Sequence, residues 1–286
     1  MDLENLKTFL TLSKLKNFTQ TANEHFVVQS TVTNRIMELE KELGKKLFIR
    51  DKKSVELTEA GKHLIPYAKR MIEIENSLTK DLNLLNCYSD LIKIGSANTI
   101  YDCYLEPILT HFIKKHPNIA VKVLVDHSST LFQMLQDGTA DIIFTYLPFH
   151  HNGYHCISFK QDSLTLVTSP IHTEFAFGIL KENLPSIPYL YCDFVFEEGY
   201  GFVRDLFPSH YTFPFEIDRS PKLIHYLLEG IGYSFLPKSL ITPYLNNHQL
   251  IEIPLLDFNA PIIESYIVSK NHYLETPTGQ AFYSLL

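Results

Sequence analysis

The sequence predicts a protein of the α+β and α/β classes: a small helical N-terminal module, one long connecting helix and a two-lobed α/β body. Apolar residues recur at spacings of three and four through residues 3 to 43, and a longer stripe of the same kind spans residues 58 to 86. After residue 90, short β-prone runs alternate with helical segments, which indicates parallel βαβ units. A chain of 286 residues with 45% hydrophobic content can form two or three compact domains.

Charge is distributed unevenly along a chain of net charge -7. Residues 1 to 70 carry 13 Lys and Arg against 9 Asp and Glu, whereas residues 71 to 286 carry 12 against 23. A basic module on an acidic body indicates that only the first part meets a polyanion, although a solvated lysine-rich face would give the same count.

The sequence shows neither a membrane span nor a signal peptide. No apolar run reaches the roughly 18 residues that a span needs, and the N-terminus lacks a basic start followed by an apolar middle. We therefore expect a cytoplasmic protein with no membrane partner. The four cysteines show no Cys-x-x-Cys spacing and should be free thiols in a reducing compartment.

Three short helices are predicted in the N-terminal module. The second, residues 19 to 25, is expected to bury Ala22 and the following Phe26. The third has four apolar positions that share one face: Val32, Ile36, Leu39 and Leu43. Its opposite face begins with small hydroxyl and amide side chains, and Gly44 ends the helix.

The polar face of the third helix and the segment after it suggest a nucleic-acid surface. Short or amide-bearing side chains can reach base edges in the major groove and form paired hydrogen bonds. Two β-prone pieces, residues 47 to 50 and 54 to 57, then bracket the basic turn at residues 51 to 53. Such a hairpin can lie along a phosphate backbone as a wing. A small structural domain with an ordinary polar surface is the alternative.

Residues 3 to 61 closely resemble the winged helix-turn-helix of LysR-type transcriptional regulators. The resemblance is carried by FTQTANEHFVVQSTVTNRIMELEKELGKKLFIRDKKSVELTEAG, which begins at residue 18 and includes Gln29-Ser30, Leu43-Gly44 and Leu47-Phe48. It implies a sequence-specific DNA-binding transcriptional regulator. Residues 1 to 60 would be the winged helix-turn-helix DNA-binding domain, and residues 61 to 88 the linker and dimerisation helix.

The resemblance also implies which side chains meet double-stranded DNA. Those expected to reach bases are Gln29, Ser30, Thr33 and Asn34. Those expected to hold phosphates are Thr19, Thr31, Arg35, Arg50, Lys52 and Lys53. Two positions depart from the family: Val28 replaces the usual serine, which removes the customary helix cap, and Asn34 replaces an arginine. Because asparagine suits adenine and arginine suits guanine, the base facing Asn34 is expected to be in an A·T pair.

The long helix of residues 58 to 86 carries an apolar stripe. Its members are Leu64, Tyr67, Met71, Ile74 and Leu78, continued after a one-residue slip by Leu82 and Leu85. The helix could lie on its own domain, but a module of about 60 residues offers little surface, so a partner chain is the better cover. The resemblance implies a homodimer or homotetramer whose half-sites lie a whole number of DNA turns apart, roughly 34 Å per turn.

Residues 89 to 286 resemble the periplasmic-binding-protein-like effector domain of the same family. The best fragments are LIKIGSANTI, LQDGTADIIFT and LLEGIGYSFLPKSL. We expect lobe I to comprise residues 89 to 160 and 269 to 286, and lobe II residues 161 to 268. The crossovers are expected near residues 159 to 163 and 265 to 269.

In such folds a ligand lies between the lobes, where strand ends meet helix N-termini. The candidate effector-binding residues are Ser96, Asn98, Thr99, Ser128, Ser129, Tyr146, Asp193, Phe194 and Arg204. Each hydroxyl could equally cap a helix. Arginine is scarce beyond residue 70, where only Arg204 and Arg219 occur, so an organic or amino acid anion would depend on helix ends and hydroxyls.

The resemblance implies a small-molecule effector that modulates DNA binding or bending, and it makes RNA polymerase a candidate partner. As an alternative, HHNGYHC places four potential zinc or copper ligands together: His150, His151, His155 and Cys156. The same stretch could simply be an exposed loop. A redox switch is less favoured, since Cys192 has no nearby cysteine in sequence.

Catalysis is not expected. No Gly-rich phosphate loop, nucleophile elbow or HExxH motif occurs, so we predict neither an enzyme nor a cofactor. A metabolite-binding protein without a DNA function is the other non-enzyme class. It would have negligible affinity for duplex DNA at low salt.

Overall fold

The computed structural model describes residues 1–50, 55–192 and 201–286, with Arg50 described by its backbone. The chain forms two compact units, Met1–Cys87 (unit 1) and Tyr88–Leu286 (unit 2). In the described part of the chain, none of the helices has the length and apolar character needed to cross a membrane.

Unit 1 has the predicted three helices, hairpin and long helix. The helices are α1 (Leu3–Leu15), α2 (Phe18–Glu24), α3 (Gln29–Leu43) and α4 (Glu59–Leu85). Strands β1 (Phe48–Arg50) and β2 (Val55–Leu57) pair antiparallel and form the base of the wing. Pro66 lies inside α4 without ending it.

The core of unit 1 joins the three short helices to the hairpin and the long helix. Its buried members are Leu6, Phe9, Leu12, Ile36, Leu39, Leu47, Phe48 and Ala68. Two expectations were wrong: the Leu43 side chain is 40% exposed and Phe26 is 96% exposed. Phe26 has a left-handed φ of 54° in the turn that ends α2, so it lies outside the helical period that buries Ala22. Leu43 is the last residue of α3, where Gly44 reverses the chain at φ 63°.

Lobe I of unit 2 has the predicted parallel arrangement. Strand β3 (Asp90–Ser96) lies between β4 (Ile119–Val125) and β5 (Ile142–Thr145) and is parallel to both. The predicted helix after β3 contains a π-helical turn, Tyr101–Leu105, between α5 (Asn98–Ile100) and α6 (Glu106–Lys115). Helices α7 (Ser128–Gln136) and the C-terminal α11 (Pro277–Tyr283) complete the lobe.

Two long antiparallel strands connect the lobes. Strand β6 (Tyr154–Thr168) pairs with β11 (Ile262–Lys270) over its first part and with β9 (Tyr233–Pro237) over its second. The short β10 (Ile251–Glu252) covers the end of β6. Residues 266 to 269 of β11 also pair with β5 of lobe I, so the second crossover lies nearer residues 262 to 265 than the predicted 265 to 269. A register shift between Ser265 and Tyr266 marks this point, and sequence alternation does not show it.

Lobe II is not a repeat of lobe I, because its strands belong to two separate sheets. Strands β7 (Leu190–Cys192) and β8 (Phe215–Ile217) are parallel, whereas β9 is antiparallel to β6. Its described helices are α8 (Phe202–Asp205), α9 (Leu223–Leu228) and α10 (Lys238–Asn246), with 3₁₀ turns at Lys181–Ser186 and Ser220–Lys222. A further 3₁₀ turn, Asn271–Glu275, follows β11 in lobe I. Aromatic rings pack against one another in lobe II, mostly tilted or edge-on, and those of Tyr191 and Phe213 stack 4.3 Å apart.

Candidate functional site

The outward edge of α3 carries the side chains predicted to reach bases. Gln29, Ser30 and Asn34 are exposed, and Thr33 is half-buried, with its Oγ1 donating to the Gln29 carbonyl oxygen at 3.1 Å. The opposite face is fully buried: Val32, Ile36 and Leu39. The helix therefore presents these four polar side chains as one edge, which we call the reading edge.

The beginning of α3 lacks a side-chain cap. Asp2, Asn17 and Thr58 each accept a backbone N–H at the starts of α1, α2 and α4, but Val28 cannot, and no side chain caps α3. Val28 is 67% exposed. Thr19 Oγ1 donates instead to Gln29 Oε1 at 3.3 Å, which ties α2 to the first residue of the reading edge. The Thr31 N–H donates to the Val28 carbonyl oxygen at 2.9 Å, so the N–H groups of Gln29 and Ser30 are the ones at this helix end that could meet an anion.

The residues predicted to hold phosphates fall into three groups. Thr19 is exposed and Thr31 half-buried. Arg35 also joins α3 to α1: its Nη1 donates to Thr8 Oγ1 at 3.1 Å and lies 3.6 Å from Glu4 Oε2. These contacts form because α1 packs along the side of α3 on which Arg35 projects. Arg50 lies in β1, and Lys52 and Lys53 lie outside the described residues.

Glu40 connects the reading helix to the wing. Its carboxylate is buried, with Oε1 accepting from the Leu47 N–H at 2.9 Å and the Phe48 N–H at 3.4 Å, and Oε2 accepting from Lys46 Nζ at 2.7 Å. Burial raises the pKa of Glu40, but these hydrogen bonds outweigh it and the pKa lies below its ordinary value. The ionised form therefore stabilises the junction between α3 and β1.

This carboxylate should make unit 1 lose stability in acid. Since the folded pKa of Glu40 is lowered, its contribution is complete above 4.5, the ordinary value, and disappears as the pH falls through the folded pKa. Thermal unfolding followed by circular dichroism checks this. The unmodified chain should be more stable than Glu40→Gln at about pH 7, and the difference should be smaller at about pH 3. An equal difference at both pH values would contradict the assignment.

Helix α4 exposes the predicted apolar stripe. Five of its side chains are between 38% and 63% exposed: Tyr67, Met71, Leu78, Leu82 and Leu85. Leu64 and Ile74 are half-buried, and Ala68 faces the core of unit 1. We call the five exposed side chains the apolar seam. Its length and continuity are typical of a helix that is covered by another chain.

In unit 2, residues at the start of α5 meet a turn of lobe II. Thr99 Oγ1 and Ser220 Oγ are 2.8 Å apart, and Arg219 Nη1 donates to Asn98 Oδ1 at 3.2 Å. These groups border a cavity of about 20 Å³, whose lining is completed by backbone and side chains of Ala97, Asp126, His127 and Asp218. We call this place the inter-lobe cleft.

Only part of the predicted effector set lies at the inter-lobe cleft. Asn98 and Thr99 line it. Ser96 is buried and donates to the Ala97 carbonyl oxygen at 3.0 Å, and Ser128 accepts from Thr145 Oγ1 at 2.7 Å inside lobe I. The other predicted residues do not line it: Ser129, which is exposed, and Tyr146, which is buried. Asp193 and Phe194 lie outside the described residues.

The two arginines of unit 2 have roles that the sequence did not distinguish. Arg204, predicted to bind the effector, donates to the carbonyl oxygens of Tyr211 at 2.9 Å and Ser209 at 2.8 Å and lies over the Phe213 ring. It therefore fastens a turn of lobe II. Arg219 lines the inter-lobe cleft instead, beside Ser220. The sequence feature that could have identified Arg219 is its position directly before Ser220-Pro221, because Ser-Pro often begins a helical turn.

The metal-site alternative is not supported. Among residues 1–50, 55–192 and 201–286, no group of three or more His, Cys, Asp or Glu side chains could hold a metal ion. The His151 ring lies 4.5 Å from the Phe149 ring, the His155 ring lies 6.4 Å from that of Tyr283, and Cys156 Sγ accepts from the Phe149 N–H. These side chains diverge because His155 and Cys156 lie in β6, whereas His150 and His151 precede it.

Both units match known protein families. Residues 3–62 match the model for bacterial regulatory helix-turn-helix proteins of the lysR family, and residues 88–286 match the LysR substrate binding domain. The HTH-type transcriptional regulator CitR of Bacillus subtilis (strain 168) is 27% identical over 275 residues, which are 94% of each chain.

Solved structures show the same fold. Full-length CbnR complexed with its target DNA has a TM-score of 0.68 at 17% identity, covering 100% of this chain and 98% of that one. Vibrio fischeri DarR in complex with DNA has a TM-score of 0.58 at 21% identity, again covering 100% and 98%. At these identities the likeness concerns the fold.

Proposed function

Because this chain belongs to the LysR family of transcriptional regulators, we propose that it reads operator DNA with Gln29, Ser30, Thr33 and Asn34 and responds to a small molecule held between its lobes. The observation that carries the proposal is the reading edge itself. It is polar and outward-facing, and a packed core lies directly behind it. Side chains of this kind can approach base edges in the major groove. As a family member, the chain acts as a DNA-binding regulator in transcription.

Phosphate contacts would set the affinity and the position of unit 1 on the duplex. We assign them to Thr19, Thr31, Arg50, Lys52 and Lys53, together with the uncapped N–H groups at the start of α3. Each contact should contribute about -0.9 to the slope of log affinity against log salt concentration. CbnR and DarR were solved as complexes with DNA, which supports a DNA role for the same fold here.

The apolar seam would pair with a second copy of the chain. Five exposed apolar side chains along one face of a helix are costly in water, and a twin helix would cover them. A homodimer formed in this way, or a homotetramer built from it, carries two reading edges. These can engage two half-sites of one operator.

Unit 2 would hold the effector at the inter-lobe cleft. Asn98, Thr99, Arg219 and Ser220 supply hydrogen-bond donors from both lobes, which suits an organic or amino acid anion. Binding that favours one arrangement of the lobes would alter the DNA binding or bending imposed by the oligomer. We place this regulator in the cytoplasm, where RNA polymerase is a candidate partner.

Asn34→Arg should change the base preferred at one operator position from A·T toward G·C. Asparagine pairs with the N6 and N7 positions of adenine, whereas arginine pairs with O6 and N7 of guanine, and each such pair discriminates by about 1–3 kcal/mol. Selection from a randomised duplex library, followed by competition binding at fixed salt, measures the preference.

Lys41→Arg is the control for the guanidinium itself, since it places arginine on the same face of α3 about two turns beyond Asn34 and should leave base preference unchanged. If both variants select the operator of the unmodified chain, Asn34 does not read a base. If the unmodified chain shows no preference for any duplex, the proposed function itself is wrong.

A further inference from the structure

The inter-lobe cleft is closed by hydrogen bonds between the two lobes. The Thr99 and Ser220 side chains are 1% and 2% exposed, and their hydroxyl oxygens are 2.8 Å apart. Beside them, Arg219 Nη1 of lobe II donates to Asn98 Oδ1 of lobe I. The hydrogen-bond donors that a ligand would use are therefore already bonded across the cleft.

The free space at this place is too small for an effector. A cavity of about 20 Å³ has room for about one water molecule. An organic anion has several non-hydrogen atoms, so it can enter only if the lobes move apart. Such movement breaks the Thr99–Ser220 and Asn98–Arg219 contacts, because both join the lobes across the cleft.

We infer that these two inter-lobe contacts form a latch, which an effector must displace in order to bind. The inference rests on the proposed function, since it names how the same cleft is regulated. A carboxylate can replace both contacts: its oxygens accept from the Arg219 guanidinium and from the hydroxyls of Thr99 and Ser220. Occupancy is thus coupled to lobe separation, and the ligand-free chain holds the lobes together with its own side chains.

At the crossover strands of unit 2, a different set of contacts holds the two lobes together. Asp162, within the crossover on β6, accepts from Tyr104 OH of lobe I at 3.0 Å and from the Ser239 N–H of lobe II. The Ser239 hydroxyl also donates to this carboxylate. This end keeps both lobes attached through the chain itself, so the lobes separate by opening at the latch and pivoting near Asp162.

Thr99→Val tests the latch in the full-length chain without added ligand. It keeps the shape of the side chain and removes the hydroxyl. Backbone hydrogen exchange, read by mass spectrometry, should become roughly fivefold faster in residues 218 to 224 of lobe II, because losing a buried hydroxyl contact shifts the opening equilibrium by about that factor. Ser220→Ala should accelerate exchange in residues 97 to 101 of lobe I, and it serves if Thr99→Val fails to fold.

Thr145→Val is the matched control. Thr145 Oγ1 donates to Ser128 Oγ at 2.7 Å, which is a buried hydroxyl pair of the same kind within lobe I. Its loss should leave residues 218 to 224 unchanged. Equal exchange of that segment in Thr99→Val and the unmodified chain overturns the latch.

A footprint on operator DNA tests whether the latch controls regulation. With the latch weakened, the footprint on the operator should shift without any effector, whereas Thr145→Val should keep the original footprint. Faster exchange with an unchanged footprint would overturn the link between the latch and regulation. Absence of a footprint for the unmodified chain would instead refute the proposed DNA function and leave the exchange result standing.

Discussion

Gly61→Ala should destabilise unit 1 by about 3 kcal/mol, because the new methyl group has no space. A Cβ at Gly61 would lie against the Leu47 carbonyl oxygen and 2.7 Å from Leu57 Cδ2. The same carbonyl accepts from the Thr58 N–H at 3.0 Å, so it cannot move away without breaking the junction of α4 with the wing. Urea unfolding followed by far-ultraviolet circular dichroism measures the loss.

Gly44→Ala is the control for this substitution. Gly44 has a φ of 63° and no atom within 4 Å of a built Cβ, so alanine meets backbone strain there but no clash. Its cost should be about 1 kcal/mol. If Gly44→Ala costs as much as Gly61→Ala, close packing against Leu47 is not what requires the second glycine.

The double substitution Leu78→Asp and Leu82→Asp should dissociate the proposed dimer and weaken operator binding by about 10²- to 10⁴-fold. Leu78 and Leu82 are 57% and 54% exposed on one face of α4, one turn apart, so two carboxylates would be buried in a paired seam. A monomer can engage one half-site and loses the gain from linking two. Sedimentation velocity and duplex titration at one salt concentration measure both effects.

Thr79→Asp with Asn83→Asp provides the matched control. It adds the same charge at the same spacing on exposed positions beside the apolar seam. Dimerisation should persist, with only a modest loss of DNA affinity from the added negative charge. A Leu78→Asp, Leu82→Asp chain that still sediments as a dimer would show that the apolar seam does not form the contact.

Burial was predicted well from the sequence for residues inside a helix, where it follows the local spacing of apolar side chains. The spacing of Val32, Ile36 and Leu39 determines which side of α3 is buried, and the opposite side is then the reading edge. In unit 2 the sequence pattern indicated parallel βαβ units, which occur in lobe I, whereas the register shift in β11 is not visible in the pattern. The prediction failed for Phe26 and Leu43, each of which lies at the end of a helix where the period stops.

Taken alone, the sequence determined the helices and hairpin of unit 1, the reading edge and the apolar seam, because burial on one face of a helix is encoded in the spacing of neighbouring residues. Only the tertiary structure decided the partners of the long polar side chains. Arg35 contacts Thr8 of α1, Arg204 fastens its own lobe, and Arg219 meets Asn98 across the cleft. An extended guanidinium binds whichever acceptor the fold brings within reach, and residues far apart in sequence supply these acceptors.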